Sequence, residues 1–193
     1  MKPRQIRWIA GTLGACVTIA IFVPPFDGLA DASFAWHMLQ HMLLIFVAVP
    51  LLLLGVYDAP WQRWLPRSAT IWLAKVGHSG FAQVVLAPPV GWFALVAFLW
   101  IAHFSPLYTA ALEHPAVHFF EHAAFVGAAT LFWLPVIGNA AFPAIAYPAR
   151  LLYLFLALPQ GAFLSAALLS ERFPLYAPYV AQLGVAGALA DQQ

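Results

Sequence analysis

The sequence predicts an all-α, polytopic membrane bundle of about five transmembrane helices with a cytoplasmic N-terminus. Three observations carry this expectation. Of the 193 residues, 64% are apolar and 8% charged, with a mean hydropathy of +0.85, which is not a soluble globular composition. Several apolar runs reach the roughly 20 residues that a helix needs to cross a bilayer. With the N-terminus inside, seven of the eight basic residues (Lys2, Arg4, Arg7, Arg63, Arg67, Lys75 and Arg150) are cytoplasmic and only Arg172 is outside. The reverse orientation would leave one of eight inside and is rejected.

Taken in order, Met1 to Arg7 is short and basic, and Trp8 to Val23 is the first span, ending at Pro24-Pro25. Ala30-Asp31-Ala32 resembles a signal-peptide cleavage site and Leu13-Gly-Ala-Cys16 a lipobox. Apolar sequence continuing past Cys16 argues against lipid attachment there, and the charge on the later loops favours an uncleaved first span. Pro24 to Ser33 reads as a loop, and Trp36 to about Val56 as the second span, with Pro50 near its far end. Tyr57 to Gly80 mixes Arg63, Arg67 and Lys75 with Trp61, Trp64 and Trp72, as in a segment lying in the headgroup layer.

Phe81 to His103 is the third span, kinked by Pro88-Pro89, and Phe104 to Glu113 a short loop. His114 then caps the fourth span, which opens with Pro115 and runs to about Ile137. Gly138 to Pro148 connects it to the fifth, Arg150 to about Leu169, with Pro159 inside. Tyr179 to Ala190 is apolar but too short for a sixth. Residues 1–193 are read as a single transmembrane domain.

In this topology six of the seven histidines gather on the outer side, and His78 alone is cytoplasmic. His37 and His41 open the second span, His103 closes the third, and His114, His118 and His122 open the fourth. Steps of four residues keep side chains on one helix face, about 6 Å apart along the axis. Ionisable groups at membrane depth are costly, so their convergence reads as a functional site.

Neutral imidazole is a good ligand for copper, zinc or haem iron. Cys16, the one cysteine, excludes an intrachain disulfide and a thiolate cluster, which leaves histidine and methionine as transition-metal ligands. His37, His41, His114, His118 and His122 are candidate primary ligands, with His103 as a further one. Gln40 and Glu121 occupy matching positions in the two H-x-x-[QE]-H patterns, suited to accept a hydrogen bond from a ligand's second ring nitrogen. Met38 and Met42, about 100° round the helix, are additional candidates.

Other chemistries fit parts of this pattern. His118-Phe-Phe-Glu-His122 matches a zinc-peptidase signature, but no downstream acidic ligand on a helix completes it. A b-type haem between His41 and His118 or His122 is the stronger alternative. A proton relay lacks matching groups toward the inner leaflet.

The run His37-Met-Leu-Gln-His41-Met-Leu-Leu resembles the integral-membrane CtaG-like family of cytochrome c oxidase assembly factors. So does the longer pattern His103-Phe-Ser-Pro-Leu-Tyr108, Leu112-Glu-His-Pro115, His118-Phe-Phe-Glu-His-Ala-Ala-Phe125 and Leu131-Phe-Trp-Leu-Pro-Val136. The resemblance covers Ala30 to Gln193, and this family is distinct from the single-span, cysteine-bearing copper chaperone of the same short name. It implies a non-enzymatic protein of the bacterial plasma (inner) membrane that handles copper on the outer side during assembly of a haem-copper oxidase. Oxidase subunits or a periplasmic copper chaperone would be its partners, with no nucleic acid involved. The family's histidines map onto His37, His41, His114, His118 and His122, with Glu121 beside them. Copper uptake or resistance independent of an oxidase is the other reading. Relatives continue beyond Asp191-Gln-Gln193 into at least one more span, so a C-terminal helix is expected to be missing here.

Overall fold

A computed structural model describes residues 3–56, 66–68, 71, 75, 79–138 and 144–193. Among them the regular structure is entirely helical. In chain order it comprises α1 (Pro3–Ile21), α2 (Phe26–Ala32), α3 (Phe34–Leu43), a π turn (Leu44–Ala48), α4 (Val49–Val56), α5 (Gly80–Val85), α6 (Pro88–Phe104), α7 (Pro106–Glu113), α8 (Pro115–Ile137), α9 (Tyr147–Ser170) and α10 (Ala177–Gln192).

Phe34–Val56, Pro115–Ile137 and Tyr147–Ser170 are each long and apolar enough to cross a membrane. The α1–α2 pair, bent by 50°, and the α6–α7 pair, bent by 71°, raise the number to five if each is one broken span. Outward faces carry Ile9, Leu13, Phe155 and Leu158, all exposed. Lipid, not water, suits such a surface.

Several expected loops are helical, for local reasons. Ser105-Pro106 is a cap followed by a first-turn proline, so α7 starts where a loop was expected; the Ser105 hydroxyl accepts from the Leu107 N–H at 3.2 Å. Residues 26–32 likewise coil into α2, with Asp27 in the first turn, where the helix dipole favours a carboxylate. Pro88-Pro89 opens α6 rather than kinking a longer helix, because the residue before a proline is held extended and Ala87 is (φ −63°, ψ 137°). The expected third span is therefore divided between α5 and α6. Most of the expected headgroup segment, including Arg63 and His78, lies outside the described residues.

Prolines inside spans remove backbone donors, and neighbouring helices pack against the carbonyls they free. Val49 donates its N–H to the Leu44 carbonyl, five residues back, which widens the helix into a π turn. The Ile45 carbonyl is thereby left without its usual donor at residue 49, and residue 50 is a proline with none to give. The Trp133 indole N–H, from α8, donates to Ile45 O at 2.9 Å. Pro135 similarly removes the donor for the Leu131 carbonyl. Gly91 on α6 packs its backbone directly against that carbonyl, and a Cβ there would overlap it. Elsewhere Gly11 of α1 meets Gly55 of α4 so closely that a Cβ on Gly11 would lie 2.8 Å from Gly55 Cα. Small residues at crossings are how helices pack in lipid.

The end of the bundle that carries the histidines is braced by buried aromatics. The Tyr179 hydroxyl donates to Ala30 O at 3.3 Å and accepts from Tyr108 at 3.3 Å, while Tyr176 donates to His103 O at 3.1 Å. Asp191, at the end of α10, accepts from the Ser33 hydroxyl and from the Phe34 N–H, each at 2.6 Å, and so caps α3. Gln192 accepts from Leu175 N–H at 2.9 Å and donates to Leu168 O at 3.2 Å.

Two outcomes are expected for thermal unfolding in detergent. Gly91→Ala should lose about 1–3 kcal/mol through overpacking, whereas Gly127→Ala, whose Cβ would meet nothing within 4 Å, should be neutral or slightly stabilising. Trp133→Phe should cost about 1–3 kcal/mol by orphaning the Ile45 carbonyl. Pro50→Ala, which restores an N–H, should recover part of that loss in the double variant, read as a coupling energy.

Candidate metal centre

The H-x-x-[QE]-H patterns put their paired residues on the inward faces of α3 and α8, which enter the bundle side by side. Ser33 and Asp191 fix where α3 begins, and Pro115 fixes α8. From those starting points His37, His41, Glu121 and His122 all turn inward and are buried, while His118 is half-buried nearer the helix start.

The rings form a continuous cluster. Centroids lie 4.6 Å apart for His37 and His41, 5.2 Å for His37 and His118, 4.9 Å for His41 and His122, and 4.4 Å for His118 and His122. Two triads have ligand atoms within 4.8 Å of one another, His37–His41–His122 and His37–His118–Glu121. His37 belongs to both. Glu121 Oε2 lies 4.0 Å from His37 Nε2, beyond hydrogen-bond length. Tyr108, Phe125 and Phe22 wall the cluster, with ring centroids 5.0 Å from His37, 4.4 Å from His41 and 4.9 Å from His122.

The hydrogen bonding is incomplete in a consistent way. His122 Nδ1 donates to the His118 carbonyl at 3.1 Å, which leaves its Nε2 as a lone-pair donor. That Nε2, His118 Nε2, both ring nitrogens of His37 and His41, and both oxygens of Glu121 are buried with no hydrogen-bond partner among the described residues. Buried polar atoms are ordinarily paired. Four imidazoles and one carboxylate facing one another without partners are a donor set that fits a transition-metal ion.

Not every candidate joins the cluster. His114 caps α8 in an extended conformation, exposed and outside both triads. His103 is also outside them, with its ring between Leu99 O at 2.7 Å and Met38 Sδ at 2.9 Å. The Gln40 amide donates to Ile21 O at 2.6 Å and to Asp27 Oδ1 at 3.3 Å, pinning α3 to the end of α1 and to α2 and not to a histidine ring. Its Oε1 is buried and unpartnered. Met38 is half-buried and Met42 is 40% exposed. Tyr108, Tyr176, Tyr179 and Asp191, which position the cluster, were not singled out from sequence. Ser105-Pro-Leu-Tyr108 and the terminal Asp191-Gln-Gln were the visible traces of them.

A sequence profile described as cytochrome c oxidase caa3 assembly factor (Caa3_CtaG) matches residues 2–193, so α1 lies within the family region as well. Uncharacterized proteins of Mycobacterium bovis and Mycobacterium tuberculosis are each 27% identical over 200 residues, which is 98% of this chain and 30% of theirs. One from Mycobacterium leprae is 26% identical over 187 residues, 91% of this chain and 28% of its own. The chain thus spans less than a third of the curated relatives it matches. No solved structure matches it. With a match over nearly its whole length and a helical bundle to go with it, this chain belongs to the cytochrome c oxidase caa3 assembly factor family.

Proposed function

We propose that this chain carries copper as cargo during assembly of a haem-copper cytochrome c oxidase, holding the ion at the buried histidine cluster and catalysing no reaction. The supporting observation is the set of unpartnered imidazole nitrogens and carboxylate oxygens converging between α3 and α8. Each such atom left unpaired costs about 1–3 kcal/mol, so a fold that assembles several of them gains by admitting a cation. His37, His41, His118 and His122 are the ligands in this reading. Glu121 supplies the single negative charge that balances a Cu(I) ion. His114, exposed at the mouth, is a first contact and not a ligand. The bilayer surrounds the bundle, and in this reading the mouth opens to the outer side of the bacterial plasma membrane, supported by the bias of basic residues in the sequence toward the segments at the opposite ends of the spans. An oxidase subunit or a periplasmic copper chaperone then exchanges copper there.

Haem b is favoured less. The imidazoles touch one another at 4.4–5.2 Å between centroids, which leaves no width for a macrocycle between them. A groove beside His41 is large enough for one, so an optical spectrum belongs in the test.

Protein purified under reducing conditions should hold Cu(I) stoichiometrically, and His118→Ala/His122→Ala should lose it, as should His37→Ala, which breaks both triads. His114→Ala should retain it. A Soret band in place of copper would overturn the reading. The pH dependence has a definite sign: protons compete with the ion for imidazole, so affinity should fall between about pH 7 and pH 5.5. Unchanged affinity over that range would exclude histidine ligation. In cells lacking the gene, added copper should restore oxidase activity. Failure to do so would point to scaffolding of nascent subunits, and copper sensitivity with normal oxidase to a separate uptake or resistance role.

A further inference from the structure

Beside the cluster, a groove of about 1270 Å³ runs between α3, α6 and α9. Its wall is apolar, with Leu95 and Phe155 among its residues, but it also carries Met38, His41, Met42 and His103. His41 therefore faces two ways, into the buried triad and onto the groove. Met38 stands three residues before it on α3, the spacing of helical neighbours.

The contact between Met38 and His103 has an unusual chemistry. A carbonyl only accepts, so the 2.7 Å contact with Leu99 O places the imidazole proton on His103 Nδ1. Nε2 then carries a lone pair, and it points at the Met38 thioether, itself an acceptor, from 2.9 Å. Two lone-pair donors held this close repel one another, and a soft cation taken up between them as the methionine arm swings away would turn that repulsion into ligation. A thioether with an imidazole is a soft donor pair that selects Cu(I) over zinc or harder ions. The flexible methionine arm can open to admit the ion.

We infer that Met38 and His103 form a second Cu(I) site on the groove wall, through which copper held at the histidine cluster leaves sideways by way of His41. The inference rests on the copper-carrying reading above. Transfer is ligand exchange: imidazole bonds at the cluster are replaced by the Met38 sulfur and His103 Nε2, the ion stays Cu(I) so no electron moves, and Glu121, buried and left without its counter-charge, takes up a proton as the ion departs. Met42, one turn further along α3 on the same groove, is placed to take the ion next.

The test loads the protein anaerobically with excess Cu(I) under ascorbate and compares it with Met38→Leu and His103→Phe. Copper X-ray absorption of the parent should contain a sulfur scatterer that both variants reduce, while both keep the nitrogen-bound copper of the cluster. Removal of copper by a neutral, membrane-partitioning bathocuproine should slow roughly tenfold in the variants. Its sulfonated, water-confined analogue should take copper from all three alike. Nitrogen-only coordination in a copper-loaded parent, or equal rates with the neutral chelator, would overturn the second site while leaving the first intact. A parent that holds no copper would overturn the cluster reading itself. Met38→Leu conserves volume, and intact cluster copper in it reports an intact fold.

Discussion

A backbone carbonyl in hydrocarbon must find a donor inside the protein, and the bundle is arranged around meeting that demand at its prolines. Pro50 and Pro135 each remove an N–H toward the far end of a span. The remedies are unlike one another: an indole reaches from α8 and donates to Ile45 O, whereas the Leu131 carbonyl is covered by the backbone of Gly91 on α6 without gaining a donor from it. Each remedy joins two helices at a fixed depth and rotation. The α3–π–α4 rod is therefore keyed to α8 by a hydrogen bond well below the histidines, and the facing of His37 and His41 toward His118 and His122 depends on that key. A π turn also rotates the helix beyond it, so the residues above and below Leu44–Ala48 present different faces to α8 than an unbroken helix would.

Much of this was legible in the sequence, and the parts that were not have a common cause. Helical spacing was enough to predict that His37, His41, His118, Glu121 and His122 share inward faces, because a four-residue step is a property of the helix alone. Length and hydropathy were enough to place the second, fourth and fifth spans, whereas the third is divided at Pro88. What spacing does not encode is rotation between helices, and that is what separates His103 from the cluster: it sits at the right depth but turns toward Met38. His114 fell outside because the proline that starts α8 makes its predecessor a cap and not a helical residue. The helices α2 and α7 were read as loops because their polar and proline residues resemble turns. In each the same residues act as starts, a distinction made by a cap hydrogen bond for α7 and by the position of Asp27 for α2. Trp133 carries no signal of its role in the sequence, and the freed Ile45 carbonyl is what gives its indole a task.

The two triads share one ring, and this limits how the cluster is used. A neutral imidazole has a single lone pair to offer. In the copper-carrying reading proposed above, His37 therefore serves either with His41 and His122 or with His118 and Glu121, but not both together. The half-buried triad and the fully buried one are alternatives connected by a ring rotation or tautomer change at one residue. Such an arrangement suits passage better than storage.

The cap on α3 connects residues far apart in the chain: Ser33 and Phe34 are held by Asp191, 158 and 157 positions later. Synthesis runs from the N-terminus, and domains form as their residues emerge. The helix that carries His37 and His41 thus enters the membrane long before the carboxylate that fixes its first turn has been made. Until α10 arrives, the start of α3 is held by the Ser33 hydroxyl, by contact with α2 and by Phe34 against Tyr108 of α7. Closure of the histidine end for this reason waits until α10 has been made, after α1 to α9. A nascent chain halted before α10 would hold every ring of the cluster and lack the cap on α3 that orients half of them.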